Sequence, residues 1–312
     1  MEEIKMIFNE NPSALYSLWK AFRSRKNSYS PGVEYPVIHS LRPGFLINKD
    51  HLKAFYEICD INCQPDYLHI LYPFTLVYPY IMRVGTQEIP VSMFKTLNTS
   101  NNITMHRRIR PDERLDIDCH NCAPRIVPKG LEIDVKSVVS SSGESVWKNI
   151  TTYFYPGKFG TADTSDNAPI LDSIDDAPII KEWYSPAKDR FRFARISGDS
   201  NGIHYGSFYA RMMGFKSDFA QPIRIVAKCV SSLPQNSSGI HGWLEEVVAN
   251  CFSPLPVAEP SGPMRLDFSL KGPVYYESTL SLKNIQTKNG NRFDLYCSGN
   301  DKPVICGILH NI

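Results

Sequence analysis

Two stretches of the chain are apolar at most positions, YPFTLVYPYIM (72 to 82) and QPIRIVAKCVSSL (221 to 233), and each precedes segments in which apolar and polar residues alternate. A helix that is apolar nearly all round has to be covered, and period-two alternation predicts half-buried strands. After the first helix, RRIRPDERLDIDC (107 to 119) predicts a strand, a Pro-marked turn and a strand, and LEIDVKSVVSSSGESVWKNITTYFYP adds two more around a Ser/Gly turn. DFSLKGPVYYESTLSLK (267 to 283) and RFDLYCSGNDKPVICGILH (292 to 310) repeat that order after the second helix. Each helix also follows a short polar segment containing an aspartate, DINCQ at Asp60 and DSNGIH at Asp199. The repetition predicts an α+β fold of two units, each an antiparallel sheet wrapped around a central helix, with the sheets joined edge to edge.

Between 161 and 178 the pattern stops. TADTSDNAPILDSIDDAP carries five Asp, two Pro and no Lys, Arg or aromatic residue, a composition that reads as a linker. We therefore expect a first repeat over 1–160, a linker over 161–180 and a second repeat over 181–312. Ahead of the first repeat, Asn11 and Pro12 have cap and first-turn character, and Leu15, Leu18, Trp19 and Phe22 share a face, which predicts a helix over 12–22.

The chain of 312 residues is 42% hydrophobic, enough for a large core, and its net charge of +2 points to no polyanionic partner. The basic runs HRRIR (106 to 110) and KAFRSRK (20 to 26) read as solvated faces, not nucleic-acid contacts. No 18-residue apolar run is present and the acidic start MEEIKMIFNE is unlike a signal peptide, so the expectation is a cytoplasmic protein off the membrane. Eight scattered cysteines then predict free thiols. Cys59, Cys63, Cys119 and Cys122 are numerous enough for a four-thiolate zinc site, but Cys119 lies in an alternating strand pattern and the spacings fit no ribbon or finger.

The densest chemistry lies in SGDSNGIH (197 to 204), where Asp199 and His204 stand five positions apart in a Gly- and Asn-rich turn before a helical pattern. Aspartates in such turns commonly cap backbone N–H groups, and a histidine near a helix start is commonly structural. A carboxylate and an imidazole on one tight turn also suit the addition of water across an activated double bond, which needs a base at the nucleophile and an acid at the neighbouring carbon.

The longer stretch FARISGDSNGIHYGSFYARMMGFKSDFAQPIRIVAKC (193 to 229) resembles the hydratase 2 motif of the MaoC-like (R)-specific enoyl-thioester hydratases and dehydratases. LDFSLKGPVYYESTLSLK is similar to the strand pair that follows it there. The resemblance implies a double hot-dog fold and a hydro-lyase that interconverts trans-2-enoyl and (R)-3-hydroxyacyl thioesters carried on coenzyme A or an acyl carrier protein. It implies that Asp199 activates a water for attack at C3, that His204 shares the water and protonates C2, and that Asn201 braces the turn. Ser197 and Gly198 belong to the same motif. No cofactor or metal is implied, nor a nucleic-acid or membrane partner, and the fused pseudo-dimer is expected as a monomer or a homodimer. The first half resembles a degenerate copy, because Pro65 stands five residues after Asp60 where a histidine is required; its apolar helix is expected to house the acyl tail.

One position departs from the family pattern. Pro222 stands where a glycine N–H would bind the thioester carbonyl, and proline has no N–H to donate. The expected substitutes are the N–H of Ile223 and the Gln221 side-chain amide. Without either, the same fold reads instead as a weak or inactive acyl-thioester-binding protein. A hot-dog thioesterase is a more distant reading, since the helix from Gln221 carries no carboxylate. Arg224, Lys228 and Lys216 could meet coenzyme A phosphates, although such residues more often solubilise the surface or cover apolar area with their stems.

Overall fold

The computed structural model describes residues 3–13, 16–17, 19, 29–61, 66–87, 91, 96–163, 171–234 and 262–312. Most of the helix expected over 12–22, the cluster KAFRSRK, Cys63 and Pro65 lie outside these residues.

The strands are β1 (Glu3–Ile7), β2 (Val37–Leu46), β3 (Leu97–Met105), β4 (Arg114–Asn121), β5 (Arg125–Val127), β6 (Gly130–Ser141), β7 (Glu144–Pro156), β8 (Ile179–Ser185), β9 (Met264–Leu270), β10 (Ser278–Thr287), β11 (Gly290–Cys297) and β12 (Ile305–Asn311). They form a 12-stranded sheet in the order β1-β2-β4-β6-β7-β3-β9-β12-β11-β10-β8, with β5 on β6. Around the β3–β9 junction the order is symmetric: β7, β6, β4 and β2 lead away on one side, and β12, β11, β10 and β8 on the other. The helices are α1 (Lys49–Ile58), α2 (Tyr72–Gly85), α3 (Arg190–Ser197), α4 (Ser207–Met212) and α5 (Pro222–Val230). Helices α2 and α5 are the two apolar stretches of the sequence, and the chain is a double hot-dog.

The first strand after α2 is not the expected one. Residues 107–113 form a turn in which the Arg107 guanidinium pairs with Glu113 at 2.8 Å, and the strand is β3, LNTSNNITM, upstream of it. Its polar composition conceals it, because β3 is the seam between the repeats, paired to β7 on one edge and β9 on the other. Polar side chains there hydrogen-bond to one another, as burial favours. Fully buried Asn101 accepts from Thr151 at 2.9 Å and from Asn149 at 3.3 Å, and Asn102 donates to Asp267 at 2.7 Å across the seam.

The described end of the Asp-rich segment, 171–178, is docked on the second repeat. Arg292 donates to the Asp172 carbonyl at 2.7 Å, the Ile174 N–H donates to Asp294 at 2.8 Å, and Tyr296 donates to Asp175 at 2.6 Å. A segment too polar to pack by its own apolar groups is held by hydrogen bonds to the sheet instead.

Candidate active site

Helix α3 ends at Ser197, and Gly198 reverses the chain in the left-handed region at φ 70°. Its N–H closes on the Ala194 carbonyl at 2.8 Å. Two constraints require glycine here: the positive φ, which side chains disfavour, and the approach of α2, since a Cβ would meet the Pro79 ring at 3.2 Å. The turn that follows is braced from within. The Asp199 N–H donates to Ser197 Oγ at 3.2 Å, the Asn201 N–H donates to Asp199 Oδ1 at 3.0 Å, and Asn201 Oδ1 accepts from the Ile203 N–H at 3.3 Å. Asn201 thus caps the single 3₁₀ turn Gly202–His204.

This folding brings Asp199 and His204 together, with Nε2 of the histidine 3.5 Å from Oδ2 of the aspartate and both residues buried. His204 Nδ1 lies 2.9 Å from the Phe219 carbonyl, which can only accept, so Nδ1 carries a proton and Nε2 is the nitrogen left for exchange. The other aspartate oxygen, Oδ1, accepts from the Tyr78 hydroxyl of α2 at 3.2 Å. Tyr205 donates to the Asp199 main-chain carbonyl at 2.5 Å. Burial, then the charge of Asp199, pushes the Tyr78 and Tyr205 phenols far above their ordinary range, so both stay protonated donors.

Asp199 and His204 open into a cavity of about 280 Å³ that both repeats line. The second repeat contributes Ala220, Gln221, Pro222 and Ile223 at the start of α5; the first contributes Phe74, Tyr78 and Met82 from α2, Asn98 and Thr99 from β3, and Tyr153 from β7. Ser197 and Asn201 also reach the wall. Of the first repeat, the sequence pointed only to its apolar helix, as the expected place of the acyl tail; Tyr78 as a partner of Asp199 and the wall residues of β3 and β7 were not singled out.

The expected donors around Pro222 separate. Gln221 is buried, and its two amide protons go to the Arg190 carbonyl at 3.1 Å and the Tyr205 hydroxyl at 3.0 Å. It is a brace between α3 and the turn, with no proton left for a ligand. Pro222 opens α5, and Gln221 gives no side-chain cap to its first turn, so the Ile223 N–H is among the groups at this helix end without an intrahelical partner. Arg224 and Lys228 do not reach the cavity mouth either. Arg224 is buried beside the Tyr276 ring, and Lys228 pairs with Asp60 at 2.7 Å. Lys216 is exposed, next to the cavity residue Phe215, and Lys271 lines the wall itself. Cys119 faces the core and donates to Ser137 at 3.3 Å, and Cys59, Cys119 and Cys122 are among six described free thiols, while Cys63, the fourth residue of that set, lies outside the described residues.

No protein-family model matches the chain. A curated 3-hydroxyacyl-thioester dehydratase X of Mycobacterium tuberculosis is 25% identical over 165 residues, 53% of this chain and 59% of that protein, so the match spans little more than half the relative's length. The crystal structure of HtdX from that organism superposes with a TM-score of 0.68 over 88% of this chain and 100% of that one, at 17% identity. A MaoC-like dehydratase from Phytophthora capsici gives 0.62 over 88% and 95% of the two chains at 15% identity. A further M. tuberculosis protein, described as a double hotdog, gives 0.51 over 86% and 93% at 11% identity. In fold this chain is a double hot-dog of the kind seen in MaoC-like dehydratases, and its sequence is similar to that of a 3-hydroxyacyl-thioester dehydratase.

Proposed function

We propose that the protein is a hydro-lyase that interconverts trans-2-enoyl and (R)-3-hydroxyacyl thioesters, with the second repeat, 181–312, carrying the chemistry. The observation that carries this reading is the Asp199–His204 pair, 3.5 Å apart at the wall of a cavity shared by both repeats. In hydration, Asp199 Oδ2 takes a proton from the water as its oxygen bonds to C3, and the His204 imidazolium gives its Nε2 proton to C2. The pair ends as carboxylic acid and neutral imidazole, and one proton passing between them restores the starting state. The Ile223 N–H at the start of α5 binds the thioester carbonyl as charge builds on it, in the place left by Pro222. The similarity to a thioester dehydratase supports the substrate class.

In this reading the first repeat, 1–160, has given up its own catalytic turn, and its α2 with Phe74 and Met82 forms the acyl-tail side of the cavity. One chain supplies both halves of the site, the substrate arrives on coenzyme A or an acyl carrier protein, and the free thiols suit the reducing cytoplasm. No described helix is long and apolar enough to cross a membrane.

The test is the loss of enoyl-thioester absorbance with trans-2-enoyl-coenzyme A and carrier-linked substrates of graded chain length, with chiral analysis of the product. Formation of the (R)-3-hydroxyacyl thioester is expected. Binding without turnover on either carrier would overturn the hydro-lyase reading in favour of a binding protein, and release of free thiol would point to a thioesterase.

A further inference from the structure

On the sheet face turned away from α2, three residues of β2 and β4 converge. Ile117 and Cys119 point into the core, so the intervening positions Asp118 and His120 project from the other face. His39 of β2 stands directly opposite His120 in the antiparallel ladder, and Asp118 faces the same way two residues earlier. The two imidazole rings stack, with centroids 4.7 Å apart and planes 28° apart. Both aim a nitrogen at one carboxylate oxygen: Asp118 Oδ1 is 3.0 Å from His39 Nδ1 and 3.6 Å from His120 Nδ1.

A single oxygen cannot serve both rings well. His39 takes the hydrogen bond, while His120 Nδ1 is shut off from solvent without a hydrogen-bond partner. The three donor atoms lie within 4.8 Å of one another. A tetrahedral zinc ion with bonds of about 2.0–2.1 Å separates its ligand atoms by roughly 3.3–3.4 Å, between the two measured spacings. A cation at their centre would draw on both nitrogens and the carboxylate at once, removing the competition for Oδ1 and giving the buried nitrogen a partner.

The neighbouring positive charges are turned aside. Lys5 lies opposite His39 in β1 and Lys136 opposite His120 in β6, which would otherwise extend a basic row. Lys5 pairs with Glu3 at 3.4 Å, and Lys136 is exposed to solvent.

We propose that His39, Asp118 and His120 form a binding site for a divalent transition-metal cation, zinc by preference, with water at the fourth position. Two imidazoles and a carboxylate suit zinc, copper or nickel better than magnesium or calcium. The site lies outside the cavity and takes no part in the proposed hydration; it clamps β2, near the sheet edge, to β4.

The test is isothermal titration of the full-length protein, stripped with chelator, with zinc chloride, repeated with magnesium and calcium. One zinc per chain is expected, with no magnesium or calcium binding, and a rise in melting temperature on adding zinc. His39→Ala and His120→Ala should each weaken zinc binding at least roughly tenfold, since even residues behind a ligand contribute that much, and should lose the melting shift. Asp118→Asn keeps the shape while removing the charge and guards against a folding defect in the alanine variants. Zinc binding that survives all three substitutions, or no stoichiometric binding by the wild-type protein, would overturn the assignment.

Discussion

Replacing Gly198 by alanine loads the catalytic turn with two separate costs. The residue sits at φ 70°, a conformation that costs an L side chain about 1–2 kcal/mol, and the new Cβ would meet Pro79 of α2 at 3.2 Å. Gly214 isolates the first cost from the second, because it has φ 90° and a Cβ built there meets nothing within 4 Å. Gly214→Ala should therefore lose about 1–2 kcal/mol in urea denaturation, and Gly198→Ala at least as much. Only Gly198→Ala must also push α2 and the turn apart, moving Asp199 away from His204 and from the Tyr78 hydroxyl. A displacement of a fraction of an ångström at a reacting group lowers turnover by about tenfold, so kcat should fall that far in Gly198→Ala and stay at the wild-type value in Gly214→Ala. Equal turnover in the two variants would refute the argument that the approach of α2 sets the position of the carboxylate.

Other outcomes follow from the same contacts. Tyr78→Phe removes a hydrogen bond to a carboxylate, an interaction of about 1.5–3 kcal/mol, and should lower kcat by about tenfold or more while leaving KM and secondary structure in place, as steady-state kinetics and circular dichroism would show. Burial pushes the imidazole of His69 down from 6.5 to about 4, and its nitrogens bond the Leu71 N–H and the Ser231 hydroxyl in the neutral form. Because the folded value is the depressed one, the stability His69 contributes is complete above pH 6.5 and is lost as pH falls towards 4, a change of about 3 kcal/mol. The stability difference between wild type and His69→Gln, measured by urea denaturation, should shrink by about that amount from pH 7 to pH 4; a constant difference would contradict it.

The alternation of β4, β6, β7 and β9 to β12 was readable in the sequence because each of these strands presents one face to the helices and one to solvent or to polar neighbours. β3 was not, since a strand at the centre of a seam between repeats can bury Asn and Thr against one another, and LNTSNNITM then carries no apolar period. The turn from Ser197 to His204 was readable because its chemistry is local: every brace of Asp199 except Tyr78 comes from within a few residues. The apolar helix α2 was legible as the expected place of the acyl tail, but the bond from Tyr78 to Asp199 was not, because it arises from the docking of α2 on the turn, a contact between residues more than a hundred positions apart. Gln221 and Arg224 show the same limit from the other side. Gln221 was expected as a donor in place of the missing glycine N–H and Arg224 as one basic residue near the helix, and packing turns the Gln221 amide protons onto the Arg190 carbonyl and Tyr205, and Arg224 onto Tyr276. Local spacing names the residues near a site, but the tertiary contacts decide which of their polar atoms remain free.

The most direct measurement is the rate of hydration of trans-2-enoyl-coenzyme A by wild type, Asp199→Asn and His204→Ala, with binding of the substrate followed in parallel by calorimetry. Asparagine keeps the size of the side chain and can still accept from Tyr78 and the Asn201 N–H, so the turn should stand and the substrate should bind. Turnover by the wild type that falls at least about a thousandfold in both variants, with binding retained, is what the paired acid and base require. Wild-type turnover that persists in Asp199→Asn would contradict the account and place the chemistry on other residues.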